Sequence, residues 1–270
     1  MVKKVAVVTG SNKGIGLAIV KGLCKAFDGD VFLTSRDEKR GRDAVKLLED
    51  EGLKPKYHQL DIMNQKSIDS LCSFMKNNYE GIDVLVNNVG IAYKSADTTP
   101  FGEQAVVTMA TNYHATASAC DILLPIIKTG GRVVNISSMG AHMSIKKCSE
   151  EKQKLFKSDS ITREKLTEAM NDFVEKAKLG KHKEAGYADS AYGMSKIGMT
   201  TLTNIYARNF KKDGKIINAC CPGWVRTDMG GPKAGKTPDE GAITPLYLAL
   251  LPPGTEYNGR FFQDKAIKEW

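Results

Sequence analysis

The sequence predicts a doubly wound α/β fold, in which helices cover both faces of a mostly parallel sheet. Two observations predict it. Short runs rich in Val, Ile and Leu alternate with segments of helical periodicity over residues 2–138, and each run is apolar along nearly its whole length. Strands of that composition are buried on both faces, as in parallel sheets. With 270 residues, 41% of them hydrophobic, the chain can bury one large core, so we expect a single domain over residues 1–270.

The first half of the chain supplies five predicted strands with helices between them. Helix 14–27 has apolar residues at helical spacing on one face, and helix 37–52 has Asp37 as a candidate N-cap and Gly52 as its stop. In chain order the predicted elements are strand 2–10, helix 14–27, strand 30–35, helix 37–52, strand 56–61, helix 67–78, strand 82–88, a long helical stretch over 102–127, and strand 132–138.

The alternation of strands and helices stops after residue 138. Residues 148–185 are rich in Lys and Glu and contain helical stretches such as REKLTEAMNDFVEKAK, so we predict a helical insertion within the domain. Beyond the insertion the sequence predicts helix 190–212, strand 215–221, helix 240–251 and a last short strand at 259–262. Neither an internal repeat nor a low-complexity linker interrupts this order, which favours one domain.

The charge pattern argues against nucleic acid and membrane partners. The net charge is +8, but basic and acidic residues alternate even in the dense segment 146–157, which is typical of a solvated helix face. No basic helix or aromatic stacking platform stands out. The N-terminal apolar run leads after a few residues into a glycine turn, so we expect neither a signal peptide nor a membrane span.

The six cysteines and four histidines show no metal-ligand spacing. No CxxC pair occurs, so we expect no metal site. Cysteines scattered in this way favour reduced thiols, and therefore a cytoplasmic location.

A glycine-rich turn follows the first strand and opens the first helix. Its glycines let the backbone approach a phosphate, and the helix N-terminus offers N–H groups and a positive dipole end to a pyrophosphate. The spacing G-x-x-x-G-x-G differs from the common G-x-G-x-x-G fingerprint, and glycines also occupy such turns for steric reasons alone. We predict that the turn binds a dinucleotide through Gly10, Ser11, Asn12, Lys13, Gly14, Ile15 and Gly16.

The end of the second strand favours NADPH over NADH. An enzyme that prefers NAD usually has an acid there for the ribose 2′-hydroxyl, whereas this strand ends in Arg36, whose guanidinium suits a 2′-phosphate. Lys13 and Arg40 add positive charge nearby. Two alternatives stay open: Asp37 pairs with one of these arginines instead, or Arg36 is an ordinary surface residue.

Tyr192 and Lys196 form a Y-x-x-x-K pair on helix 190–212. Residues four apart share one helix face, so both side chains can reach the same pocket. Hydride arriving at a carbonyl carbon leaves negative charge on the oxygen, which a phenol can protonate, and a nearby ammonium makes the phenol a stronger acid. Ser138, at the end of the fifth strand, can donate a hydrogen bond to the carbonyl oxygen. Y-x-x-x-K alone is a weak motif that a chain of this length can contain by chance, so the catalytic interpretation depends on the motifs around it.

Six motifs occur in an order that resembles the short-chain dehydrogenase/reductase family over essentially the whole chain. They are TGSNKGIG at 9–16, NNVG at 87–90, Asn112 in TNYH, the serine pair at 137–138, Y-x-x-x-K at 192–196 and CCPGWVRTDM at 220–229. The resemblance implies a Rossmann-type fold, with Tyr192 as acid/base and Asn112 holding a water-linked proton path to Lys196. It further implies cofactor contacts for Asp61, Ile62, Asn88, Gly90, Tyr192, Lys196, Pro222, Gly223, Val225 and Thr227.

Within the family the chain is similar to the monomeric NADPH-dependent carbonyl reductases. Residues 139–191 separate Ser138 from Tyr192, a longer stretch than in typical members, and the excess is the predicted insertion. The similarity implies reduction of quinones, ketones and aldehydes. It also implies that the insertion covers the helices through which typical members assemble, leaving a monomer. One departure is NNVG in place of the commoner NNAG, which puts the bulkier Val89 beside the cofactor.

Three residues are candidate walls for a small-molecule carbonyl substrate, which Ser138 and Tyr192 would also contact. Trp224 lies on a loop beyond the sixth strand, where ligands of open α/β sheets bind. Met139 and Met229 are adaptable apolar residues. For each of the three the alternative is simple packing. Cys221 is either a buried cysteine at a strand end or a thiol beside this pocket.

Two other functions would use the same residues. The site can work as an alcohol dehydrogenase on a steroid or prostaglandin, with its direction set by the NADPH/NADP ratio. A non-catalytic NADP(H)-binding sensor is the third interpretation. Such a sensor has no need of Ser138, Tyr192 and Lys196 together, so the sequence favours the reductase.

Overall fold

The computed structural model of the chain describes residues 3–94 and 96–270. Within these ranges eight strands form one sheet in the order β3-β2-β1-β4-β5-β6-β7-β8, and all neighbours are parallel except β7 and β8. This confirms the predicted doubly wound, Rossmann-type sheet. The strands are β1 (Val5–Val8), β2 (Asp30–Ser35), β3 (Lys56–Gln59), β4 (Ile82–Asn87), β5 (Ile127–Ile136), β6 (Ile216–Cys221), β7 (Phe261–Gln263) and β8 (Ala266–Lys268).

Helices connect the strands and cover both faces of the sheet. They are α1 (Gly14–Ala26), α2 (Glu38–Asp50), α3 (Gln65–Tyr79), α4 (Phe101–Met109), α5 (Thr116–Leu123), α6 (Met139–Ile145), α7 (Glu150–Lys157), α8 (Arg163–Lys178), α9 (Ala191–Asn209) and α10 (Pro238–Ala249). A π-helical turn (Ala110–Ala115) joins α4 to α5, and a 3₁₀ turn (Leu124–Ile126) leads into β5.

The central strands are buried on both faces because successive side chains point to opposite layers. In β1, Val5 and Val7 pack in the layer formed by α3, α5 and α9, whereas Ala6 and Val8 pack in the layer formed by α1, α2 and α10. All four side chains are inaccessible to solvent. This two-sided burial is the physical reason for the unbroken apolar run at the start of the sequence.

Helix α2 begins and ends where the sequence predicts. Asp37 caps it by accepting a hydrogen bond from Arg40 N at 2.9 Å, and Gly52 follows its last turn with a φ of +80°. Two other predictions differ from the structure. The helical stretch predicted at 102–127 is interrupted by the π-helical turn, and the strand predicted at 132–138 runs from Ile127 to Ile136.

No sequence pattern predicts α6 or β8, whereas α7 lies in the charged segment 146–157, whose pattern is typical of a helix face but gives no helix bounds. Ser138 and Ser149 are the N-caps of the two helices: their Oγ atoms accept from Gly140 N at 3.0 Å and from Lys152 N at 3.3 Å. Helices of so few residues carry little periodicity, so only the caps mark them. Strand β8 follows a tight turn at 264–265 in which both residues have positive φ without glycine, so no turn signal marks it.

Residues 148–185 contain α7 and α8, and α8 packs on α4 and α9. Phe173 of α8 packs edge to face on Phe101 of α4, with ring centres 6.3 Å apart. His182 stacks on the ring of Phe101, with ring centres 4.3 Å apart. Against α9, Met170 Sδ lies 3.0 Å from the position that a Cβ on Gly198 would occupy. Helix α8 therefore packs directly against both α4 and α9.

In the described ranges, no helix is long and apolar enough to cross a lipid bilayer. Across the same residues, no group of three His, Cys, Asp or Glu side chains could hold a metal ion. The cysteine thiols are unpaired.

Candidate active site

The glycine turn joins β1 to α1 at the carboxyl end of the sheet. Gly10 and Gly14 have φ values of +57° and +58°, in the left-handed region that favours glycine. Gly16 is required for close packing instead, because a Cβ there would lie 2.7 Å from Ser11 Cα and 2.9 Å from Gly10 O. The turn therefore brings α1 against the strand ends and leaves the backbone exposed to an approaching phosphate.

The N-terminus of α1 is open to an anion. Its N-cap, Lys13, makes no side-chain capping bond, and the first turn contains no acidic residue. The first N–H groups of a helix have no partner inside the helix, and they carry the positive end of its dipole. This cradle fits the pyrophosphate of a dinucleotide.

Two side chains at the turn serve the protein's own backbone. The hydroxyl of Ser11 is buried, donates to Val8 O at 2.8 Å and accepts from Thr34 N at 3.0 Å, so it ties β1 to β2. Any contact of Ser11 with a cofactor would therefore come from its backbone, and it stays a prediction. Asn88 donates to Gly10 O at 2.9 Å, while its backbone N–H donates to Thr9 Oγ1 at 3.0 Å. The sequence analysis did not single out Thr9.

Arg36 and Arg40 are exposed at the end of β2 and the start of α2. Asp37 is occupied as the cap of α2, and its Oδ2 lies 3.9 Å from Arg40 Nε, so it faces Arg40 and not Arg36. Lys13 Nζ forms an exposed ion pair with Asp228 Oδ2 at 2.6 Å, which ties the glycine turn to the loop beyond β6. No local sequence pattern indicates this pair, because its two residues are 215 positions apart.

The other predicted cofactor residues lie at neighbouring strand ends. Asp61, beyond β3, accepts from Met63 N at 2.9 Å, and Ile62 is buried. Gly90, beyond β4, is close to the catalytic candidates: a Cβ there would lie 3.4 Å from Lys196 Nζ. Beyond β6, the predicted contacts are Pro222, Gly223 (φ +89°), Val225 and Thr227.

Val89 occupies the space above the glycine turn. Its Cγ2 lies 2.7 Å from the position of a Cβ on Gly10, and the side chain packs against the core. The valine of NNVG therefore adds a further reason for glycine at position 10.

Ser138 and Tyr192 face each other across Gly140. A Cβ on Gly140 would lie 3.3 Å from Ser138 Oγ and 3.4 Å from Tyr192 Cε1. Ser138 Oγ accepts from Gly140 N at 3.0 Å, which leaves the serine proton available to a ligand. Tyr192 stands in the first turn of α9, whose N-cap Ser190 accepts from Gly193 N at 2.9 Å.

Lys196 is buried one turn further along α9. Its Nζ donates to Ile136 O at the end of β5 at 2.7 Å and lies 5.6 Å from the centre of the Tyr192 ring. Burial lowers the pKa of Lys196 to about 8. Burial also raises the pKa of Tyr192 above its ordinary value, while a hydrogen-bonding contact with Ser138 acts in the opposite direction.

Asn112 lies in the π-helical turn and is fully buried. Its Oδ1 accepts from Ile91 N at 2.8 Å, and its Nδ2 donates to Ile91 O at 2.9 Å and to Ser195 Oγ at 3.0 Å. The structure thus places Asn112 beside the residue that precedes Lys196. The sequence analysis did not predict roles for Ile91 or Ser195.

The predicted substrate walls differ in exposure. Trp224 is 61% exposed and its Nε1 donates to Gly230 O at 2.9 Å, while Met229 is 43% exposed. Met139 is half-buried against the cluster around Cys221, whose thiol is buried and accepts from the backbone N–H of Gly223 at 3.3 Å. Trp224 and Met229 therefore present apolar surface at the carboxyl end of the sheet.

Comparisons with known proteins agree with this arrangement. A family model described as short chain dehydrogenase matches residues 4–150. The chain is 56% identical to Carbonyl reductase (NADPH) 1 of Rattus norvegicus, over 99% of both chains. It is 55% identical to the Homo sapiens protein of that name, over 98% of both chains. Among solved structures it is similar to salutaridine reductase from Papaver somniferum, with a TM-score of 0.87 and 28% identity, covering 97% of this chain and 100% of that one.

Proposed function

Because the chain belongs to the short-chain dehydrogenase family, we propose that it reduces carbonyl compounds to alcohols with NADPH as the reductant. The substrates are small molecules of the quinone, ketone and aldehyde classes. One observation carries the proposal: Ser138, Tyr192 and Lys196 meet at the carboxyl end of the sheet, the same end at which α1 begins with an open N-terminus. Relatives over nearly the full length carry the name NADPH carbonyl reductase.

Each of the three side chains has a task in this reaction. Bound NADPH supplies the hydride for the carbonyl carbon. Ser138 donates to the carbonyl oxygen and holds it beside the phenol. The phenol of Tyr192, whose ordinary pKa is about 10, keeps its proton at neutral pH and can give it to the developing alkoxide. Lys196, mostly protonated below a pKa of about 8, stabilises the phenolate that remains.

The cofactor would lie along the carboxyl ends of β1 to β6. We assign the pyrophosphate to the N-terminus of α1 and its glycine turn, the 2′-phosphate to Arg36 with Arg40 and Lys13, and the nicotinamide ribose to Tyr192 and Lys196. Asn112 would support the proton path to Lys196. The adenine and nicotinamide ends would contact Asp61, Ile62, Asn88, Gly90, Pro222, Gly223, Val225 and Thr227.

The test of this function is the loss of NADPH absorbance with menadione and with an aromatic ketone, run in parallel with NADH. We expect turnover with NADPH to be much faster than with NADH. Tight binding of NADPH without turnover of any carbonyl in a broad panel would contradict the proposal and favour a non-catalytic sensor.

Replacing Arg36 with Asp is expected to reverse the cofactor preference. The loss of charge-assisted hydrogen bonds to the 2′-phosphate, together with repulsion from the new carboxylate, should raise the KM for NADPH by about 100-fold. The KM for NADH should stay within a few-fold of the parent value. Arg42→Asp, which changes an exposed arginine of α2 that pairs with Glu38, is the matched control. Equal effects of both variants would show that only general surface charge is involved.

We further propose that the chain is a monomer, because α8 covers the outer side of α4 and α9. The stacking of Phe101 with Phe173 and His182 supports this, since it fills a surface that would otherwise expose aromatic rings. Light scattering at micromolar concentration should give a mass near 29.5 kDa. A mass of twice that value, independent of dilution, would contradict the proposal.

The unpaired thiols support a reducing compartment such as the cytoplasm.

A further inference from the structure

Helix α8 of the insertion contacts the π-helical turn that carries Asn112. Tyr113, the next residue in the turn, is fully buried, and its hydroxyl lies 3.1 Å from Thr167 Oγ1 and 3.2 Å from Arg163 Nη1. Thr167 donates its own proton to Arg163 O at 2.9 Å, so the tyrosine hydroxyl donates to Thr167 and accepts from Arg163. The guanidinium carbon also lies 5.5 Å from the centre of the tyrosine ring. Two residues of α8 therefore fix the orientation of Tyr113.

The same face of α8 reaches the following residue of the turn. His114 lies near Asn171, which is one turn beyond Thr167 along α8. On the opposite side, a Cβ on Gly198 would lie 2.8 Å from Tyr113 Cδ2, so the glycine lets the tyrosine ring rest directly on α9. The turn is therefore held between the inserted helix and the helix that carries the reactive tyrosine.

The guanidinium of Arg163 has an acidic partner and a hydroxyl partner on two other helices. Its Nη2 lies 3.5 Å from Asp121 Oδ2 on α5, and its Nε donates to the Tyr206 hydroxyl on α9 at 3.3 Å. The arginine side chain is 20% exposed and Asp121 is 49% exposed, so the guanidinium is mostly shielded from water while its carboxylate partner is half-exposed. A guanidinium with partners on three elements has little freedom to rotate, which makes it a firm support for Tyr113.

A π-helical turn needs such support from its surroundings. The geometry is rare and occurs mainly as single turns at functional sites. A turn that relaxed toward α-helical geometry would rotate Asn112 about the helix axis and away from Ile91 and Ser195. Contacts that hold the neighbouring residue in place therefore also hold the Asn112 side chain.

We propose that Arg163 and Thr167 of the insertion are positioning residues for carbonyl reduction: through Tyr113 they fix the π-helical turn and keep the side chain of Asn112 beside Lys196. The inserted helix is then part of the catalytic support as well as a cover for α4 and α9. The kinetic consequence rests on the proposed function, whereas the placement of Asn112 is a property of the protein chain alone.

The kinetic test uses Arg163→Met, which keeps the length of the side chain and removes its donors. We expect kcat to fall about tenfold, as for other residues that orient a catalytic group, while the KM for NADPH stays within twofold. Thr167→Val should lower kcat several-fold and Thr167→Ser, which keeps the hydroxyl, should restore it. Tyr187→Phe is the matched control, since it removes a buried hydroxyl that bonds to Asp172 and not to the turn. It should keep the parent kcat.

A second measurement does not depend on turnover. In the ¹⁵N spectrum of the protein without cofactor, the side-chain amide signals of Asn112 are identified by their loss in Asn112→Asp. We expect Arg163→Met to shift these signals and to speed their exchange with solvent, and Tyr187→Phe to leave them unchanged. If Arg163→Met lowers the melting temperature but leaves the signals in place, the helix only packs and the proposal is wrong. If Arg163→Met shifts the signals but the parent protein reduces no carbonyl, the proposed function fails and the positioning contact stands.

Discussion

Tyr192→Phe is expected to lower kcat/KM for carbonyl reduction by about 10³-fold, within the range that general acid catalysis contributes. The substitution removes only the phenol oxygen, so the ring beside Gly140 and the amine of Lys196 keep their places. Without a proton donor the alkoxide would have to be protonated by water, which is not held in position. The measurement is NADPH oxidation with menadione at saturating cofactor.

The control for this prediction is cofactor binding. Titration of the variant with NADPH should give a Kd within a few-fold of the parent value, because the glycine turn and Arg36 are unchanged. Tyr187→Phe should retain full activity, which excludes a general effect of losing a buried phenol hydroxyl. A Tyr192→Phe variant with more than a tenth of the parent kcat/KM would mean that another group supplies the proton.

The buried Lys196 should make stability rise with pH in the alkaline range. Its pKa in the folded chain is about 8, against 10.5 for the exposed side chain, so between these values the unfolded chain binds more protons. Stability therefore rises as pH increases through this window. In a Lys196→Met variant this contribution is absent. Between pH 7 and pH 10.5, the parent should gain about 3 kcal/mol of unfolding free energy relative to the variant.

Urea unfolding of both proteins without cofactor, at several pH values, measures this gain. Only the change with pH matters, because the loss of the hydrogen bond to Ile136 O shifts the difference by a constant amount. Lys54→Met, at an exposed position, controls for the removal of one positive charge. A difference between parent and Lys196→Met that stays flat from pH 7 to pH 10.5 would show that the buried amine titrates like an exposed one.

The features that were predictable from the sequence are those that depend on local pattern. The apolar run of β1, the Asp37 cap and the spacing of Tyr192 and Lys196 are each contained in a few neighbouring residues. Ser138 lies two residues beyond the end of β5 and caps α6, whereas the sequence predicts it as the last residue of the strand.

The features that were not predictable join distant parts of the chain. The π-helical turn at Asn112 depends on packing from α8 and α9, which no local pattern encodes. The hydrogen bond from Thr34 N to the Ser11 hydroxyl joins β2 to the glycine turn, and no local pattern encodes it. Lys13 was expected to face the cofactor, and its pairing with Asp228 could be found only once the loop beyond β6 had been placed. The pKa of Tyr192 likewise depends on burial, which spacing does not measure.

The position of β6 beside β5 has a consequence for how the protein folds. Arg132 of β5 pairs with Ile216 of β6. The ribosome synthesises β6 only after residues 148–185 and α9, so β5 is made long before its partner strand. Closing so long a loop costs entropy before any contact offsets it, and parallel pairing of this kind is slow. During synthesis we therefore expect the edge of β5 that pairs with β6 to stay unpaired until at least residue 221 has emerged. This half-built sheet is the species that a chaperone would bind, and the stage at which aggregation competes with folding.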